Sequence, residues 1–180
     1  LYHRGPDAKG FWHSHKHKII FIHNRLSIID LSKNGNQPML SSCERYIVSF
    51  NGEIYNHLKL REELKKLKNN IKWKGTSDTE TLLESISLLG LDKTLSNLRG
   101  MFAFSLYDKK NKKIYLIRDR FGEKPLYLLN LKNGIFAFAS EISPFLFIPG
   151  FSQDLDPRAV SSYFQRGYIG APLSIFKNIQ

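Results

Sequence analysis

The spacing of apolar residues predicts a chain built mainly from β-strands. Several apolar runs are hydrophobic on both faces, which is typical of strands buried between two layers. The polar stretch from Asp108 to Lys113 separates two of these runs and predicts a hairpin turn. The predicted strands are Ile19 to His23, Tyr46 to Phe50, Met101 to Tyr107, Ile114 to Ile117, Leu126 to Leu129 and Ile135 to Ala139.

Helical spacing replaces this pattern in the middle of the chain. One helix is predicted from Leu58 to Leu67, and a shorter one from Asp92 to Leu98. Between them, the tetrapeptide Ser77 to Glu80 has the S-x-x-E form of a capping box and opens a third, apolar helix. Strands, then helices, then strands again predict an α+β fold with two packed sheets.

The pattern changes near Pro149-Gly150, where the chain becomes loop-like before a further predicted helix from Pro157 to Gln165. We therefore predict one domain over residues 1–150, with residues 151–180 forming a linker and the start of a second domain. Because the chain begins at Leu1 and meets a dense polar motif at once, we expect a piece of a longer protein.

The formal net charge of +11 raises the question of a nucleic-acid partner. The basic residues are scattered, apart from short lysine clusters at 65–68 and 109–113. Such a distribution favours a solvated surface, so we predict no nucleic-acid partner. A basic nucleic-acid-binding module stays as an alternative, which a salt-dependent gel shift would detect.

Two further features limit the location of the protein. The sequence contains no apolar run of about 18 residues, so no membrane association is predicted. The one cysteine, Cys43, excludes an internal disulfide framework and fits a reducing compartment such as the cytoplasm.

Asn51 and Gly52 are the first candidates for chemistry, because they directly follow a buried strand. A tight turn at this point can present the Gly52 N–H and the Asn51 side-chain amide to one position, as stabilisation of an oxyanion requires. A plain Asn-Gly turn is the alternative interpretation.

Arg25 and Asp78 are candidates for binding a small charged ligand. The planar guanidinium of arginine matches a carboxylate with two hydrogen bonds, although a surface or ion-paired arginine is the commoner case. Asp78 lies in the first turn of a predicted helix, where any carboxylate is favoured by the helix dipole.

Three alternating histidines, His13, His15 and His17, would lie on one face of an extended segment, as a metal site requires. Ser14 and Lys16 lie between them and no acidic residue is near. This pattern favours an exposed edge strand, and we predict no metal site.

These candidates belong to a longer series of motifs that resembles the class II glutamine amidotransferase domain of glutamine-hydrolysing asparagine synthetase. The resemblance covers essentially all of residues 1–150, and Tyr163-Phe164 resembles the start of the synthetase domain of that family. The motifs are His3-Arg4-Gly5-Pro6-Asp7, Arg25 to Ser32, Gln37-Pro38-Met39, Phe50 to Asn56, Ser77 to Glu80, Gly100 to Phe104, Arg118 to Tyr127 and Phe138 to Glu141.

The resemblance implies an α+β, N-terminal-nucleophile hydrolase fold, a four-layer αββα sandwich, of which the N-terminal strand would be missing here. It assigns the carboxylate of L-glutamine to Arg25 and its α-ammonium to Asp78 with help from Glu53. Asn51 and Gly52 become the oxyanion hole. The segment Arg4 to Asp7 is expected to form part of a loop over the site, and the stretch Arg118 to Tyr127 to be structural or to face the synthetase domain.

The nucleophile is where this chain departs from the family. The family uses an N-terminal cysteine whose own α-amine is the base, whereas residue 1 here is leucine. Cys43 cannot replace it, because its amine is in a peptide bond and Ser41 to Arg45 reads as a turn between strands. The chain as given is therefore expected to be inactive alone.

For the intact parent, the resemblance implies a ligase that hydrolyses glutamine and uses the ammonia to convert aspartate to asparagine. ATP and Mg²⁺ would bind in the missing synthetase domain of the same chain, and no cofactor is expected in this domain. A homodimer is one expected assembly. The alternatives are a sibling amidotransferase with another acceptor and a non-enzymatic relative that lacks the nucleophile.

Overall fold

The computed structural model describes Leu1–Gln180, which form two compact units, residues 1–124 and 125–180. Unit 1 contains six strands: β1 (Ala8–Ser14), β2 (Ile19–Arg25), β3 (Met39–Leu40), β4 (Tyr46–Ile54), β5 (Gly100–Asp108) and β6 (Lys113–Arg118). Its helices are α1 (His57–Leu67), α2 (Asp78–Leu89) and α3 (Leu91–Asn97). Unit 2 contains β7 (Tyr127–Asn130), β8 (Phe136–Ala139) and α4 (Pro157–Arg166).

An antiparallel four-stranded sheet with the order β3-β4-β5-β6 forms the centre of unit 1. One face of this sheet packs against the helices. The even-numbered residues of β4 and β5, such as Phe50 and Phe104, share a buried cluster with Leu82, Leu83 and Ile86 of α2. The alternation of side chains along a strand therefore assigns the even positions to the helical layer.

The opposite face of this sheet packs against the hairpin formed by β1 and β2. Trp12 of β1 contacts Tyr107 of β5, with 5.7 Å between ring centroids. His23 Nδ1 of β2 lies 3.1 Å from Ser49 Oγ of β4. Unit 1 thus contains a helical layer, a four-stranded sheet and a two-stranded sheet in that order, which confirms the predicted packing of two sheets.

All of the strands predicted from the apolar runs are present. The helices α1, α3 and α4 begin and end within one residue of their predicted limits, and α2 begins directly after Ser77, as predicted. The hairpin at Asp108 to Lys113 is also confirmed. Strand β1 was not predicted as a unit, because its residues alternate between half-buried and exposed and include a glycine and a lysine.

The histidine interpretation is wrong in its geometry. Strand β1 ends at Ser14, and His15 to Lys18 form the turn into β2, so the three histidines do not continue one strand face. His17 instead contacts the hydroxyl of Tyr107. The structure contains no group of three or more His, Cys, Asp or Glu side chains placed to hold a metal ion.

Unit 2 has its own hydrophobic cluster. Strands β7 and β8 pair in antiparallel fashion, and Leu129, Leu131, Phe145 and Ile179 are buried together. This cluster joins residues from both sides of the domain boundary predicted at residue 150. The compact unit therefore begins earlier than residue 150. The assignment of residues 1–150 and 151–180 to two different domains stays a prediction. No helix in the structure has the length and apolar character that crossing a membrane requires.

Candidate active site

Asn51, Gly52 and Glu53 lie within the second half of β4, so the predicted Asn-Gly turn is wrong. Gly52 pairs with Phe102 of β5 and has a φ of +154°. A Cβ atom at position 52 would lie 2.2 Å from the carbonyl oxygen of Met101 and 2.6 Å from the Cα of Phe102. Because these are backbone atoms that cannot move aside cheaply, the close approach of the two strands requires glycine here.

Strand alternation decides where the neighbouring side chains lie. Asn51 and Glu53 share the odd-numbered face of β4 with Ser49, which contacts His23 of β2. The two residues therefore belong to the layer between the two sheets. In β2, His23 and Arg25 occupy alternate positions of the strand, and Arg25 is its last residue.

Asp78 is the first residue of α2 and is held at the end of β4. Its carboxylate accepts hydrogen bonds from the N–H of Ile54 at 3.0 Å and from its neighbour Thr79 at 2.8 Å. Burial raises the pKa of the Asp78 carboxyl above its ordinary value, and the nearby Glu53 acts in the same direction. The structure thus brings Asp78 next to the segment that carries Asn51, Gly52 and Glu53.

Arg25 is buried, with 7% of its surface exposed, so it is not the ordinary surface arginine considered above. Its guanidinium donates to the carbonyl oxygens of Asp30 and Ser32, the latter at 2.8 Å, and to Asn36 Oδ1 at 3.1 Å. A Cβ at Gly35 would lie 2.0 Å from Nη2 of Arg25, so the loop closes tightly around the group. Three of the five N–H donors of the guanidinium are used to fix its position.

Asp30 connects the Arg25 loop to the residues that precede Asp78. Its carboxylate accepts from the N–H and hydroxyl of Ser32, at 2.8 and 2.6 Å, and from the N–H of Thr76 at 2.7 Å. Burial opposes ionisation of Asp30, but these hydrogen bonds and the charge of Arg25 lower its pKa to about 2. Asp30 therefore binds Arg25 through its carbonyl oxygen and the segment before Asp78 through a carboxylate that stays ionised at neutral pH.

Gln37 is a second residue that sequence reasoning did not assign to the site. Its side-chain oxygen accepts from the N–H of Phe50 at 2.6 Å, and its amide nitrogen lies 3.4 Å from Thr79 Oγ1. It links β4 to the start of α2, next to Asn51 and Asp78. Asp30 and Gln37 both lie inside the recognised motifs, but nothing in their local spacing distinguishes them from ordinary loop residues.

The predicted loop over the site lies beside Arg25. The N–H of Asp7 donates to the carbonyl of Arg25 at 3.0 Å, and Asp7 Oδ2 accepts from the N–H of Ser27 at 2.7 Å. An open cleft of about 430 Å³ is lined by these residues together with Ser32, Lys33 and Asn36 among others. This cleft includes Arg25, while Asn51, Gly52, Glu53 and Asp78 are not among the residues that line it.

His23 adds a half-buried imidazole between the sheets. Burial, and secondarily the positive charge of Arg25, lower the pKa of His23 to about 4. The imidazole is therefore neutral at physiological pH. Its neutrality avoids a second positive charge beside Arg25.

Cys43 lies away from these residues, in the turn between β3 and β4. Its Sγ is 3.4 Å from Ser41 Oγ and 3.5 Å from Ser87 Oγ. Ser87 lies nine residues beyond Asp78 in α2, which corresponds to about 14 Å along the helix axis. Cys43 therefore lies apart from Asp78, and its exclusion as the nucleophile stays a prediction.

The stretch that begins at Arg118 contains a loop organised by one carboxylate. Asp119 accepts hydrogen bonds from the backbone N–H groups of Phe102, Phe121, Glu123 and Lys124 at 3.0 to 3.2 Å. Burial alone would raise the pKa of Asp119, but these hydrogen bonds lower it below its ordinary value. Asp119 therefore has a structural role in this loop. The predicted structural role of this part of the motif is consistent with the geometry.

Comparison with known proteins identifies the family of this chain. The family model for the glutamine amidotransferase domain matches residues 1–180. The chain is 36% identical over 180 residues to asparagine synthetase (glutamine-hydrolyzing) 1 of Bacillus subtilis, which covers 100% of this chain and 27% of that protein. It is 40% identical over 144 residues to the amidase chry2 of Gibberella zeae, covering 80% of this chain and 21% of that protein.

Among solved structures, the chain is similar to the glutamine phosphoribosylpyrophosphate amidotransferase of B. subtilis complexed with ADP and GMP. The TM-score is 0.58 at 22% identity, over 69% of this chain and 28% of that one. This likeness shows the predicted N-terminal-nucleophile hydrolase fold. The chain spans about a quarter of the length of the relatives it matches. It belongs to the glutamine amidotransferase domain family, in the form found in asparagine-synthetase-like proteins.

Proposed function

We propose that this domain binds L-glutamine and hydrolyses it to glutamate and ammonia within a longer protein. The observation that carries the proposal is that two buried side chains of opposite charge lie on segments that contact each other. Arg25 is the last residue of β2, Asp78 binds the N–H of Ile54 at the end of β4, and the Asp30–Thr76 hydrogen bond connects the loop after Arg25 to the segment before Asp78. A free amino acid carries one carboxylate and one ammonium, and so requires one partner of each sign.

Each site residue then has a distinct role. The N–H groups of Arg25 that the loop does not use bind the α-carboxylate of glutamine, in the paired geometry that guanidinium favours. Asp78 and Glu53 bind the α-ammonium. A cation between these two carboxylates offsets their mutual repulsion, which otherwise contributes to the raised pKa of Asp78.

Hydrolysis requires a nucleophile and stabilisation of the negative charge that forms on the amide oxygen. The side-chain amide of Asn51 and the N–H of Gly52 form an oxyanion hole, which stabilises this negative charge. The full-length protein must supply the nucleophile, because the one cysteine of this chain is Cys43, which lies in a distant turn. An N-terminal cysteine with a free α-amine would act both as nucleophile and as base.

The acceptor of the ammonia is the second part of the proposal. The names of the relatives that match almost the whole chain, asparagine synthetase (glutamine-hydrolyzing), favour aspartate as acceptor and asparagine as product. In this proposal, ATP and Mg²⁺ would bind to a synthetase domain outside this chain. The similarity to the amidase chry2 favours keeping another acceptor as the alternative. Assaying the full-length protein with aspartate and with other carboxylates would distinguish the two.

Arg25→Lys in the full-length protein tests the binding role. Lysine keeps the charge but cannot form the paired hydrogen bonds, so we expect the KM for glutamine to rise about 10-fold or more. Activity with free ammonia should not change, because ammonia bypasses the glutamine site. Arg99→Lys, at an exposed position, is the matched control. An unchanged glutamine KM in Arg25→Lys would contradict the proposal.

A further inference from the structure

A buried ion pair joins α1 to α2 near the start of α2, where Asp78 lies. Arg61 Nη2 of α1 is 2.9 Å from Glu80 Oε2 of α2, and both side chains are about nine-tenths buried. The Arg61 guanidinium also lies over the ring of Trp73, 3.9 Å from its centroid. Arg61 therefore contacts both the helix and the segment that leads into it.

Glu80 also binds the backbone of that leading segment. Its two oxygens accept from the N–H of Lys74 at 2.7 Å and from the N–H of Gly75 at 3.0 Å. The sequence predicted a capping box, in which Glu80 would return to the start of its own helix. Only the half in which Ser77 Oγ accepts from the N–H of Glu80, at 3.2 Å, is observed. The Glu80 side chain reaches further back, to residues outside the helix.

The segment held by Glu80 is the one that contacts the Arg25 loop. The N–H of Thr76 donates to Asp30 at 2.7 Å, and Asn34 donates to the carbonyl of Lys74 at 2.6 Å. A Cβ at Gly75 would lie 2.3 Å from the carboxylate of Asp30, so the two segments are packed closely. Asp30, in turn, receives the guanidinium of Arg25 at its carbonyl oxygen.

We propose that the Arg61–Glu80 pair is a positioning element for glutamine binding: it holds residues 74–76 and, through Asp30, fixes the guanidinium of Arg25. The inference rests on the proposed function, because it assigns to Arg25 the carboxylate of glutamine. A buried ion pair is an inefficient means of stability, since desolvation of both ions offsets much of their attraction. Glu80 of the pair also binds the N–H groups of Lys74 and Gly75, which lie in a segment without regular structure. The pair can therefore fix the position of that segment.

The test is steady-state kinetics of the full-length protein carrying Glu80→Gln or Arg61→Met. We expect each variant to raise the KM for glutamine about 10-fold with a much smaller change in kcat, because Arg25 is displaced while the oxyanion hole is kept. Ammonia-dependent activity should not change. Arg61→Lys, which keeps the charge, should recover part of the loss.

Glu84→Gln is the matched control for a loss of stability that does not affect Arg25. Glu84 is also buried on α2, and its carboxylate accepts from the N–H and hydroxyl of Ser42 at 2.9 and 2.7 Å, on a segment that does not reach Arg25. We expect Glu84→Gln to lower Tm as much as Glu80→Gln does, without changing the glutamine KM. An equal rise of KM in both variants, or no rise in Glu80→Gln, would overturn the positioning role.

The Arg25→Lys variant separates this inference from the proposed function. If Arg25→Lys raises the glutamine KM and Glu80→Gln does not, only the positioning role is wrong. If neither variant changes the KM, the glutamine-binding role of Arg25 is wrong as well. If both raise it, the double variant should be less than additive, because the two residues act on one interaction.

Discussion

Replacing Asn51 with alanine should lower kcat for glutamine hydrolysis by roughly 10²–10³-fold, the loss expected for one donor of an oxyanion hole. The KM for glutamine should change little, because the donor acts mainly once negative charge has formed on the amide oxygen. The structure sharpens this expectation. Asn51 lies inside β4 and has no positive φ, so alanine fits the backbone without strain.

The competing interpretation of Asn51 is purely structural, and ammonia distinguishes the two. Ammonia-dependent synthesis by the Asn51→Ala protein should equal that of the unaltered protein, while glutamine-dependent synthesis falls. Asn97→Ala is a suitable control, because Asn97 is exposed and its side-chain amide donates to the carbonyl of Lys93 in its own helix at 2.8 Å. The carbonyl of residue 97, which accepts from Asn56 at 2.9 Å, is kept by alanine. Parallel loss of both activities in Asn51→Ala would remove the catalytic assignment.

The second large effect is expected at Asp78. Asp78→Asn should weaken productive glutamine binding by at least about 30-fold, because loss of one partner of a desolvated charge pair costs on the order of 2–5 kcal/mol. The α-ammonium would then be buried against a neutral amide. The measurement is the glutamine KM, with ammonia-dependent activity as the internal reference. An unchanged KM would leave Asp78 as a residue that is favoured only by the dipole of α2.

The stability of the Asp78→Asn protein checks that this loss is specific. Folding raises the pKa of the Asp78 carboxyl, so the folded protein is favoured by its protonation and loses that contribution as pH rises through the folded-state pKa. At neutral pH the ionised carboxylate is therefore a cost to folding. Asparagine removes that cost but gives up one of the two backbone bonds. We expect these terms to leave the free energy of unfolding within about 1 kcal/mol of its original value.

The regular elements were predictable from the sequence because their apolar spacing is strong. Strands β4 and β5 are buried on both faces, and α2 carries an apolar stripe behind a Ser77 cap, so local pattern and tertiary packing agree. The site residues were found through the order of motifs rather than through any single signal. Each of Arg25, Asn51 and Asp78 has a commoner structural explanation when taken alone.

The errors occurred where long-range contacts override local preference. Asn51-Gly52 is a strong turn signal, yet Gly52 is needed because β4 and β5 approach too closely for a side chain. Glu80 fits a capping box, yet it binds Lys74 and Gly75, whose position depends on Arg61 and Trp73. Asp30 binds the nearby Ser32, but its other partner, Thr76, is 46 residues away, and no local pattern predicts that contact.

Glutamate release from L-glutamine by the full-length protein, compared with the same protein carrying Cys43→Ala, tests the central claim most directly. The account predicts release at equal rates in both, because Cys43 is exposed in a turn and takes no part in the reaction. It further predicts that the release depends on Asn51. Absence of glutamate release from the full-length protein would contradict the claim, and so would loss of release on substitution of Cys43.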